Sequence, residues 1–263
     1  MPFVSLGDLR ARWKPHRYDL DPILLAKVSN FRKIKIEQDK PICIRGSDNG
    51  LLVYGVHINQ PLLVDDLYQS IQALPKPKHY VYRGEKRSEY MTWHFCVWAK
   101  YSSEPFLSRE YLDSQEQADN FFQTNKKLFD CMSGLLGQVT PGAFKQFQLY
   151  PLPYGLERLC GAWLGCVVDK GDNDPNQTNI HRDASEAIYG YSCLVSCGNY
   201  TGGELILYDL EIILELKAGD MILFPDAVIH HSNKQARGSR CLVVAFTQEN
   251  VYNYWNRKYN MVL

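Results

Sequence analysis

Short alternations of apolar and polar positions, separated by turn residues, dominate the second half of this chain. Residues 197–207 predict a turn that opens into an alternating strand, and residues 211–217 form a second alternating run. The apolar runs at 221–224 and 242–246 have the length of buried strands. Short strands joined by Gly and Asp turns are typical of a jelly roll or a related barrel. This part of the chain is therefore expected to form a β-rich core.

The rest of the chain predicts further strands and two supporting helices. The expected strands cover 34–44, 51–57, 91–100, 144–150 and 159–168. Asp65 or Asp66 can cap a short helix that ends near Ala73. Ser114 begins a capping box, and the helix that follows it is expected to end near Gly137. These helices present apolar faces that we expect to brace the outside of the barrel.

Length and composition indicate one globular domain. With 263 residues, zero net charge and ordinary apolar content, the chain can bury a substantial core. The fold class we predict is mainly β with supporting helices (α+β). Residues 1–140 are expected to supply supporting strands and helices, and 141–263 the jelly-roll catalytic core. The global charge favours neither a nucleic-acid nor a membrane partner, and no obligate protein partner is evident.

The lack of a recognisable targeting signal and the cysteine usage favour an intracellular protein. No apolar run approaches the ~20 residues of a transmembrane helix. Residues 1–13 lack the apolar core of a signal peptide. The eight cysteines are scattered without paired spacing, which favours reduced thiols over disulfides.

A small set of polar residues in the predicted core suggests a metal site beside an anion site. His181 and Asp183 lie two positions apart, and a remote histidine follows in the pair His230-His231. Two imidazoles and a carboxylate can occupy one face of an octahedral metal and leave three positions open. That arrangement is the facial triad of non-haem Fe(II) oxygenases. Arg240, at the head of an apolar run, can grip the far carboxylate of a 2-oxo acid with its planar fork.

These motifs resemble the TET/J-binding-protein class of 2-oxoglutarate dioxygenases, particularly its shorter fungal members. The resemblance extends from about Gly161 to Trp255. It is carried by His181-Arg182-Asp183, by residues 198–205 and 218–220, by His231-Ser232-Asn233 and by residues 238–240. Upstream it is looser and rests on residues 82–84 and 93–98. The Gly-Gly-Glu-Leu at 202–205 is also similar to prolyl-hydroxylase relatives, so part of the resemblance is shared across the superfamily.

The resemblance implies a double-stranded β-helix that holds Fe(II). It also implies 2-oxoglutarate and O2 as cosubstrates, with ascorbate as an assisting reductant. By this resemblance His181, Asp183 and His231 match the metal positions. His230 is the rival to His231, but the family's His-x-Asn pattern is satisfied by His231 alone of the two.

The resemblance also implies a substrate and the residues that contact it. Members of this class oxidise a methyl group on a base in DNA, here 5-methylcytosine or N6-methyladenine, and the base must be flipped out of the duplex. Arg240 matches the 2-oxoglutarate position; we prefer it to its rival Arg237 because Arg240 begins the apolar strand. Glu186 falls where relatives place a polar residue near the exocyclic amine of the base, and Gln248 is a similar candidate. The alternative is that both are solvated rim residues. With DNA as substrate, the location would be nuclear.

A basic, aromatic segment at residues 76–87 is a candidate nucleic-acid surface. It holds five cations, among them Arg83 and Lys86, against one acid, with Tyr80 and Tyr82 interleaved. Such segments can follow a phosphate backbone and stack on bases. A solvated basic loop is the alternative.

Two other functions stay open beside the oxidation of a base in duplex DNA. The first is a 2-oxoglutarate dioxygenase that hydroxylates a protein side chain or a small molecule. Neutral net charge and the Gly-Gly-Glu-Leu motif are compatible with it. The second is a non-catalytic barrel that uses the same cleft for binding alone, against which the complete set of metal and arginine residues argues.

Overall fold

The computed structural model describes residues 4–13, 28–76, 91–99, 102, 104–172 and 178–259. Two β-sheets enclose one large hydrophobic core, and side chains from both sheets contribute to it. Most of the helices come from the first half of the chain. This mainly β architecture with supporting helices confirms the predicted fold class.

The larger sheet has eight strands, all antiparallel to their neighbours. In spatial order they are β2 (Ile42–Arg45), β3 (Leu51–His57), β10 (Asp220–Phe224), β7 (Ser192–Gly202), β12 (Ala236–Phe246), β6 (Gly165–Asp172), β4 (Met91–Trp98) and β5 (Phe106–Leu107). Strands from the first 140 residues therefore extend this sheet at both edges.

The smaller sheet has four strands and carries one of the predicted metal ligands. In spatial order they are β1 (Arg32–Lys35), β9 (Ile212–Glu215), β8 (Leu205–Leu207) and β11 (His231–Asn233). β1 pairs with β9 in parallel, whereas β8 is antiparallel to both β9 and β11. Short strands alternating between two sheets in this way are typical of a jelly roll.

Seven helices are found in the described part of the chain. They are α1 (Leu6–Ala11), α2 (Pro61–Gln72), α3 (Arg109–Asp113), α4 (Gln115–Thr124), α5 (Lys126–Val139), α6 (Pro141–Leu149) and α7 (Glu249–Tyr259). α2 contacts β6 and β7 of the larger sheet. Its buried residues Leu63, Leu67 and Ile71 are four positions apart, which places them on one face of the helix. Burial of that face braces the sheet from outside.

Residues 144–150, predicted as a strand, form helix α6 instead. Pro141 occupies its first turn, where a proline is favourable because its missing N–H would have no partner there. Phe147 is buried against the rings of Trp163 and Tyr252. In so short an apolar run, helical and strand periodicities are not separable, and this packing decides between them.

Several predicted boundaries were also wrong. The 34–44 run is divided between the two sheets by a turn closed at Glu37 and Lys40. The 159–168 strand begins at Gly165 and continues to Asp172. The turn predicted from residue 197 is confined to Gly202 and Gly203, which have φ of 77° and 71°. Residues 197–201 instead continue β7, because the whole segment pairs with β12.

The helix predicted from Ser114 to Gly137 is broken at Asn125. Ser114 makes no side-chain capping hydrogen bond. The side-chain amide of Asn125 donates to the carbonyl of Phe121 and to the hydroxyl of Ser70, both at 2.8 Å. Asn125 is buried, so these bonds anchor the junction between α4 and α5 to α2.

The described residues include all eight cysteines, and none of them forms a disulfide, which agrees with the prediction. Six of them are buried, and Cys193 and Cys197 lie on one face of β7. Within the described residues, no helix has both the length and the apolar character needed to cross a membrane.

Candidate metal centre

Backbone pairing brings together the two histidines of the predicted triad. The N–H of His181 donates to the carbonyl of His231 at 3.0 Å, and the reverse bond measures 2.9 Å. This isolated antiparallel bridge fastens residue 181 to strand β11, which β8 holds on its other side. The imidazole ring centroids are 4.3 Å apart. Two side chains distant in sequence therefore converge on one point.

Both imidazoles are held in the tautomer that suits metal binding. Nδ1 of His181 lies 2.7 Å from the carbonyl oxygen of Asn179, and Nδ1 of His231 lies 2.9 Å from that of Ile229. Because a carbonyl oxygen can only accept, each Nδ1 carries a proton and each neutral ring keeps a lone pair on Nε2. Hydrogen bonds of this kind fix the ring orientation of metal-ligating histidines.

Asp183 completes a donor set of two nitrogens and one oxygen. Its Oδ2 is 3.4 Å from Nε2 of His231, and its Oδ1 is 3.9 Å from Nε2 of His181. One ligand atom from each residue lies within 4.8 Å of the other two. This set fits Fe(II) in the facial arrangement, which leaves other positions open for a cosubstrate.

The electrostatics of the cluster favour a cation. Burial lowers the pKa of His231, but the hydrogen bond to Asp183 and the charge of that carboxylate outweigh burial, so the pKa lies above its ordinary value. The carboxylate thus draws positive charge to the point where the two Nε2 atoms converge. A divalent metal supplies that charge without protonating either histidine.

His230, the rival to His231, is turned to a different partner. Its Nδ1 lies 3.0 Å from Oδ2 of Asp209, and its backbone N–H donates to the same oxygen at 2.6 Å. Adjacent residues of a strand point to opposite faces. His231 therefore faces Asp183, whereas His230 is held on the other side by Asp209.

Arg240 is a buried cation without a hydrogen-bonded partner in the part of the chain that the structure describes. Its side chain is 1% exposed, and none of its three guanidinium nitrogens makes a hydrogen bond there. Burial lowers its pKa, although the adjacent Tyr200 opposes this shift. The Tyr200 ring lies 5.5 Å from Cζ. Leaving a charge buried and unpaired is costly, so this arrangement fits a site that receives an anion.

Glycines make the space in which Arg240 lies. In the larger sheet Arg240 lies opposite Gly198 of β7 and Gly171 of β6. A Cβ on Gly203 would lie 3.0 Å from both Nε and Cζ of Arg240. Gly203 therefore permits the close approach of the β7–β8 turn to the guanidinium, which the Gly-Gly-Glu-Leu motif alone did not reveal.

Replacing Gly203 by alanine is expected to weaken 2-oxoglutarate binding and destabilise the fold. The positive φ of 71° costs an L-residue about 1–2 kcal/mol, and the new Cβ would displace Arg240. We expect roughly tenfold weaker binding of 2-oxoglutarate, because the displaced guanidinium no longer aligns with the carboxylate that it would bind. Isothermal titration of the manganese-loaded protein with 2-oxoglutarate measures this change.

Gly134→Ala is the matched control for that substitution. Gly134 lies exposed in α5, and a Cβ there meets no atom within 4 Å. Alanine is favoured over glycine by about 0.5–1 kcal/mol inside a helix, so this variant should be more stable and bind 2-oxoglutarate normally. If Gly203→Ala also binds 2-oxoglutarate normally, the β7–β8 turn is not part of the anion site.

Arg237, the rival to Arg240, is exposed on β12 opposite Thr201. It sits an odd number of residues from Arg240, so alternation along the strand places the two side chains on opposite faces. Of these two arginines, Arg240 is therefore the one that is buried in the barrel.

Glu186 and Gln248 are opposite one another in an isolated bridge. Both are buried, so neither is the solvated rim residue that was the alternative. The hydroxyl of Ser192 donates to Oε2 of Glu186 at 2.6 Å. Oε1 of Gln248 has no hydrogen-bond partner among the described residues. Their contact with a base remains a prediction.

Asp226 is a component that the sequence did not reveal. It is buried, its carbonyl accepts the N–H of Asp183 at 3.1 Å, and its carboxylate groups with those of Asp183 and Glu186. Burial, reinforced by the charge of Asp183, raises its pKa to about 7. Burial likewise raises the pKa of Glu186, with the charges of Asp226 and Asp183 adding to the effect. No periodicity or spacing marks Asp226, because its position depends on a loop contact.

The predicted nucleic-acid contacts Arg83 and Lys86 lie outside the described residues, as does most of the 76–87 segment. The turn-rich run 170–179, which the sequence places just before His181, also lies partly outside the described residues, at 173–177. Its first residues, 170–172, belong to β6.

Comparison with known proteins finds a local sequence match and a shared fold. No protein-family model matches the chain. A PKHD-type hydroxylase of Gluconacetobacter diazotrophicus is 39% identical over 81 residues, or 30% of this chain. The match spans 34% of that relative, about a third of its length.

Among solved structures, NgTET1 in complex with 5mC DNA has a TM-score of 0.61 at 14% identity, covering 94% of this chain and 92% of that one. A 2OG-Fe(II) oxygenase family protein from Burkholderia pseudomallei has a TM-score of 0.45 at 12% identity, covering 74% and 85%. The likeness to NgTET1 shows the shared fold.

Proposed function

We propose that this chain is an Fe(II)- and 2-oxoglutarate-dependent dioxygenase. The observation that carries the proposal is a His-Asp-His donor set in one barrel with a buried arginine that has no hydrogen-bond partner among the described residues. The two are connected by the short strand β8. Gly203, just before β8, abuts Arg240, and Leu207 at its other end pairs with His231. Four residues of strand span roughly 13 Å between Cα atoms, a gap that inward-facing side chains and a dicarboxylate can bridge.

The protein's own groups have separable tasks. Nε2 of His181, Nε2 of His231 and a carboxylate oxygen of Asp183 would hold the iron. Arg240 would orient 2-oxoglutarate through its far carboxylate, as a planar fork does best. When bound, iron with 2-oxoglutarate and O2 supplies an oxidant that inserts oxygen into a C–H bond, with succinate and CO2 as coproducts. His231 is buried against Phe224, which would exclude water from one side of a bound metal.

Turnover of 2-oxoglutarate tests this function directly. Succinate formation should require added Fe(II) and O2 and should be inhibited by a chelator. Binding of 2-oxoglutarate to manganese-loaded protein is a second readout that needs no substrate. If the protein binds neither metal nor 2-oxoglutarate, the barrel is a non-catalytic one.

For the substrate, we propose the methyl group of a modified base in DNA, 5-methylcytosine or N6-methyladenine. NgTET1, whose fold this chain shares, is a protein solved with 5mC DNA. Glu186 and Gln248 offer a carboxyl group and an amide that can contact polar edges of a flipped base. Their bridge begins three residues after Asp183, close to the metal.

A second candidate substrate is a protein side chain or a small molecule. The local match to a PKHD-type hydroxylase favours it. Mass spectrometry after incubation with iron, 2-oxoglutarate and ascorbate separates the two, using methylated duplexes in one arm and a peptide library in the other. Oxidised nucleosides support DNA as substrate, whereas peptide hydroxylation without nucleoside oxidation supports the second candidate.

Reversing Arg83 and Lys86 to glutamate is expected to weaken binding to every duplex sequence. If both contact phosphates, the slope of log K against log salt should flatten by about 1 for each lost contact. Binding measured across a salt series by fluorescence anisotropy gives both slopes.

Lys126→Glu with Lys127→Glu is the charge-matched control. Both lysines are exposed on α5. Their reversal should lower affinity only through net charge. Equal slopes in the two double variants would remove the 76–87 segment from the DNA surface and favour the protein or small-molecule substrate.

A further inference from the structure

A second cavity lies apart from the metal ligands and the cosubstrate arginine. Its volume is about 470 Å³, within the range of small-molecule pockets. Four parts of the fold form its walls: helix α1, the β2–β3 hairpin, the junction between α5 and α6, and residues 189–191. None of the triad residues, nor Arg240, lines it. The iron chemistry proposed above makes no use of this space.

Arg10 enters the cavity from α1 in a fixed orientation. Its Nε donates to the carbonyl of Ile188 at 3.1 Å, and its Cζ lies 4.9 Å from the centre of the Tyr189 ring. One hydrogen bond and one aromatic face therefore anchor the guanidinium. Among the described residues it forms no ion pair with a carboxylate. A planar fork restrained in this way loses little freedom when it binds an anion.

Arg45 enters from the hairpin and is held by its own loop. Nη1 donates to the carbonyl of Asn49 at 3.0 Å. Arg45, like Arg10, has no ion pair with any described carboxylate. Burial raises the pKa of the cavity residue Tyr191, while the charges of Arg10 and Arg45 oppose that shift. Arg10, Arg45 and Tyr191 all line this one cavity.

Asp48 is an acid of the same β2–β3 hairpin as Arg45, and backbone donors already occupy it. It accepts the N–H groups of Leu6, Gly7 and Gly50 at 2.8–3.2 Å, and chiefly the Gly7 bond lowers its pKa. Its charge is thus stabilised by the backbone rather than by an arginine. Two arginines against one such carboxylate leave the cavity with net positive charge.

We infer that this cavity binds a phosphate group, carried by a ligand of nucleotide size. Two guanidinium groups can chelate phosphate oxygens with charge-assisted bonds. The volume exceeds what an inorganic ion needs, and the exposed ring of Tyr189 offers a stacking face beside it. The phosphate could belong to a free nucleotide or to the backbone of a nucleic-acid strand.

The cavity is also within reach of the metal centre along the chain. Tyr189 is six residues after Asp183, so their Cα atoms are at most about 22 Å apart. A strand with one base at the metal centre can extend over such a distance. The phosphate site itself does not depend on the iron chemistry, and its binding can be measured without metal or 2-oxoglutarate.

Titration of the full chain with inorganic phosphate, at constant ionic strength set with chloride, tests the inference. Amide signals of Gly50, Gly142 and Ala143, which line the cavity, should shift and saturate in the millimolar range. Adenosine 5′-monophosphate should bind at least about tenfold more tightly, because it adds a stacking base. No saturable shift with either probe would overturn the inference.

Arg45→Gln and Arg10→Gln should each weaken phosphate binding at least about tenfold. Arg32→Gln, an exposed arginine of β1 that does not line the cavity, is the charge-matched control. Among the described residues Arg45 bonds only within its hairpin, so its variant decides the matter if Arg10→Gln fails to fold. Equal phosphate affinity in Arg45→Gln and Arg32→Gln would overturn the inference.

A methylated duplex then distinguishes the two sources of phosphate. If the strand backbone is the ligand, the duplex should compete with the mononucleotide, and Arg45→Gln should weaken duplex binding more than Arg32→Gln does. If the ligand is a free nucleotide, the duplex should not compete. Succinate formation, measured in the same preparations without phosphate, reports on the dioxygenase proposal separately.

Discussion

Replacing His231 by alanine should lower 2-oxoglutarate turnover by more than about a hundredfold. Losing a group that merely supports a ligand costs 10–100-fold in many metal sites, and His231 is proposed as a ligand itself. Its Nε2 is 3.4 Å from Asp183, and its Nδ1 is already committed to Ile229. Iron content after desalting should fall together with succinate formation, which ties the loss to the metal. Asp183→Ala should behave alike.

His230→Ala is the matched control, since it removes the adjacent imidazole. That ring bonds Asp209 instead of the triad, so its loss should cost about 1–2 kcal/mol of stability and leave iron retention intact. If His230→Ala loses iron while His231→Ala keeps it, the metal ligand is His230 and not His231.

Local spacing in the sequence pointed to residues that the structure brings together. His181 and Asp183, two positions apart, form one cluster of candidate metal ligands with the remote His231. The head of an apolar strand also identified Arg240 correctly as the buried arginine, since strand alternation fixes which face a side chain takes. Both inferences rest on local features, namely the spacing of residues and the alternation of side chains along a strand.

Other parts of the fold depend on contacts between distant residues and were not predictable. The run 144–150 became a helix through packing of Phe147 against two remote rings. Asp226 supports Asp183 through a backbone carbonyl, for which any residue type would serve. Glu186 and Gln248 are buried where an isolated bridge pairs them, although they lie far apart in the sequence. In each case tertiary structure decides what local propensity leaves open.

Replacing Arg240 by methionine is expected to separate binding from stability. Replacing buried ion pairs by apolar side chains of similar volume is often neutral or stabilising by about 1–4 kcal/mol, and a buried charge without a partner has less attraction to lose. The ligand-free variant should therefore unfold at the same temperature as the wild type or higher, by about 2–4 °C per kcal/mol. It should at the same time lose 2-oxoglutarate binding by at least a hundredfold, or about 2.7 kcal/mol. Arg240→Lys should fall between, roughly ten- to hundredfold weaker, because a point charge cannot reproduce the bidentate fork.

Thermal unfolding of the manganese-loaded protein, with and without 2-oxoglutarate, measures both effects at once. At a ligand concentration a hundred times Kd, the wild type should gain about 2.7 kcal/mol of stability, and the methionine variant should gain almost none.

Arg237→Met is the matched control: that side chain is exposed, so stability and ligand response should both stay within about 0.5 kcal/mol of wild type. If Arg240→Met instead lowers the stability of the ligand-free protein by several kcal/mol, Arg240 has a structural anion partner within the protein. A full 2-oxoglutarate response in that variant would place the cosubstrate carboxylate elsewhere. A buried guanidinium without a hydrogen-bond partner in the described part of the chain is thus the physical property that links this fold to its proposed chemistry.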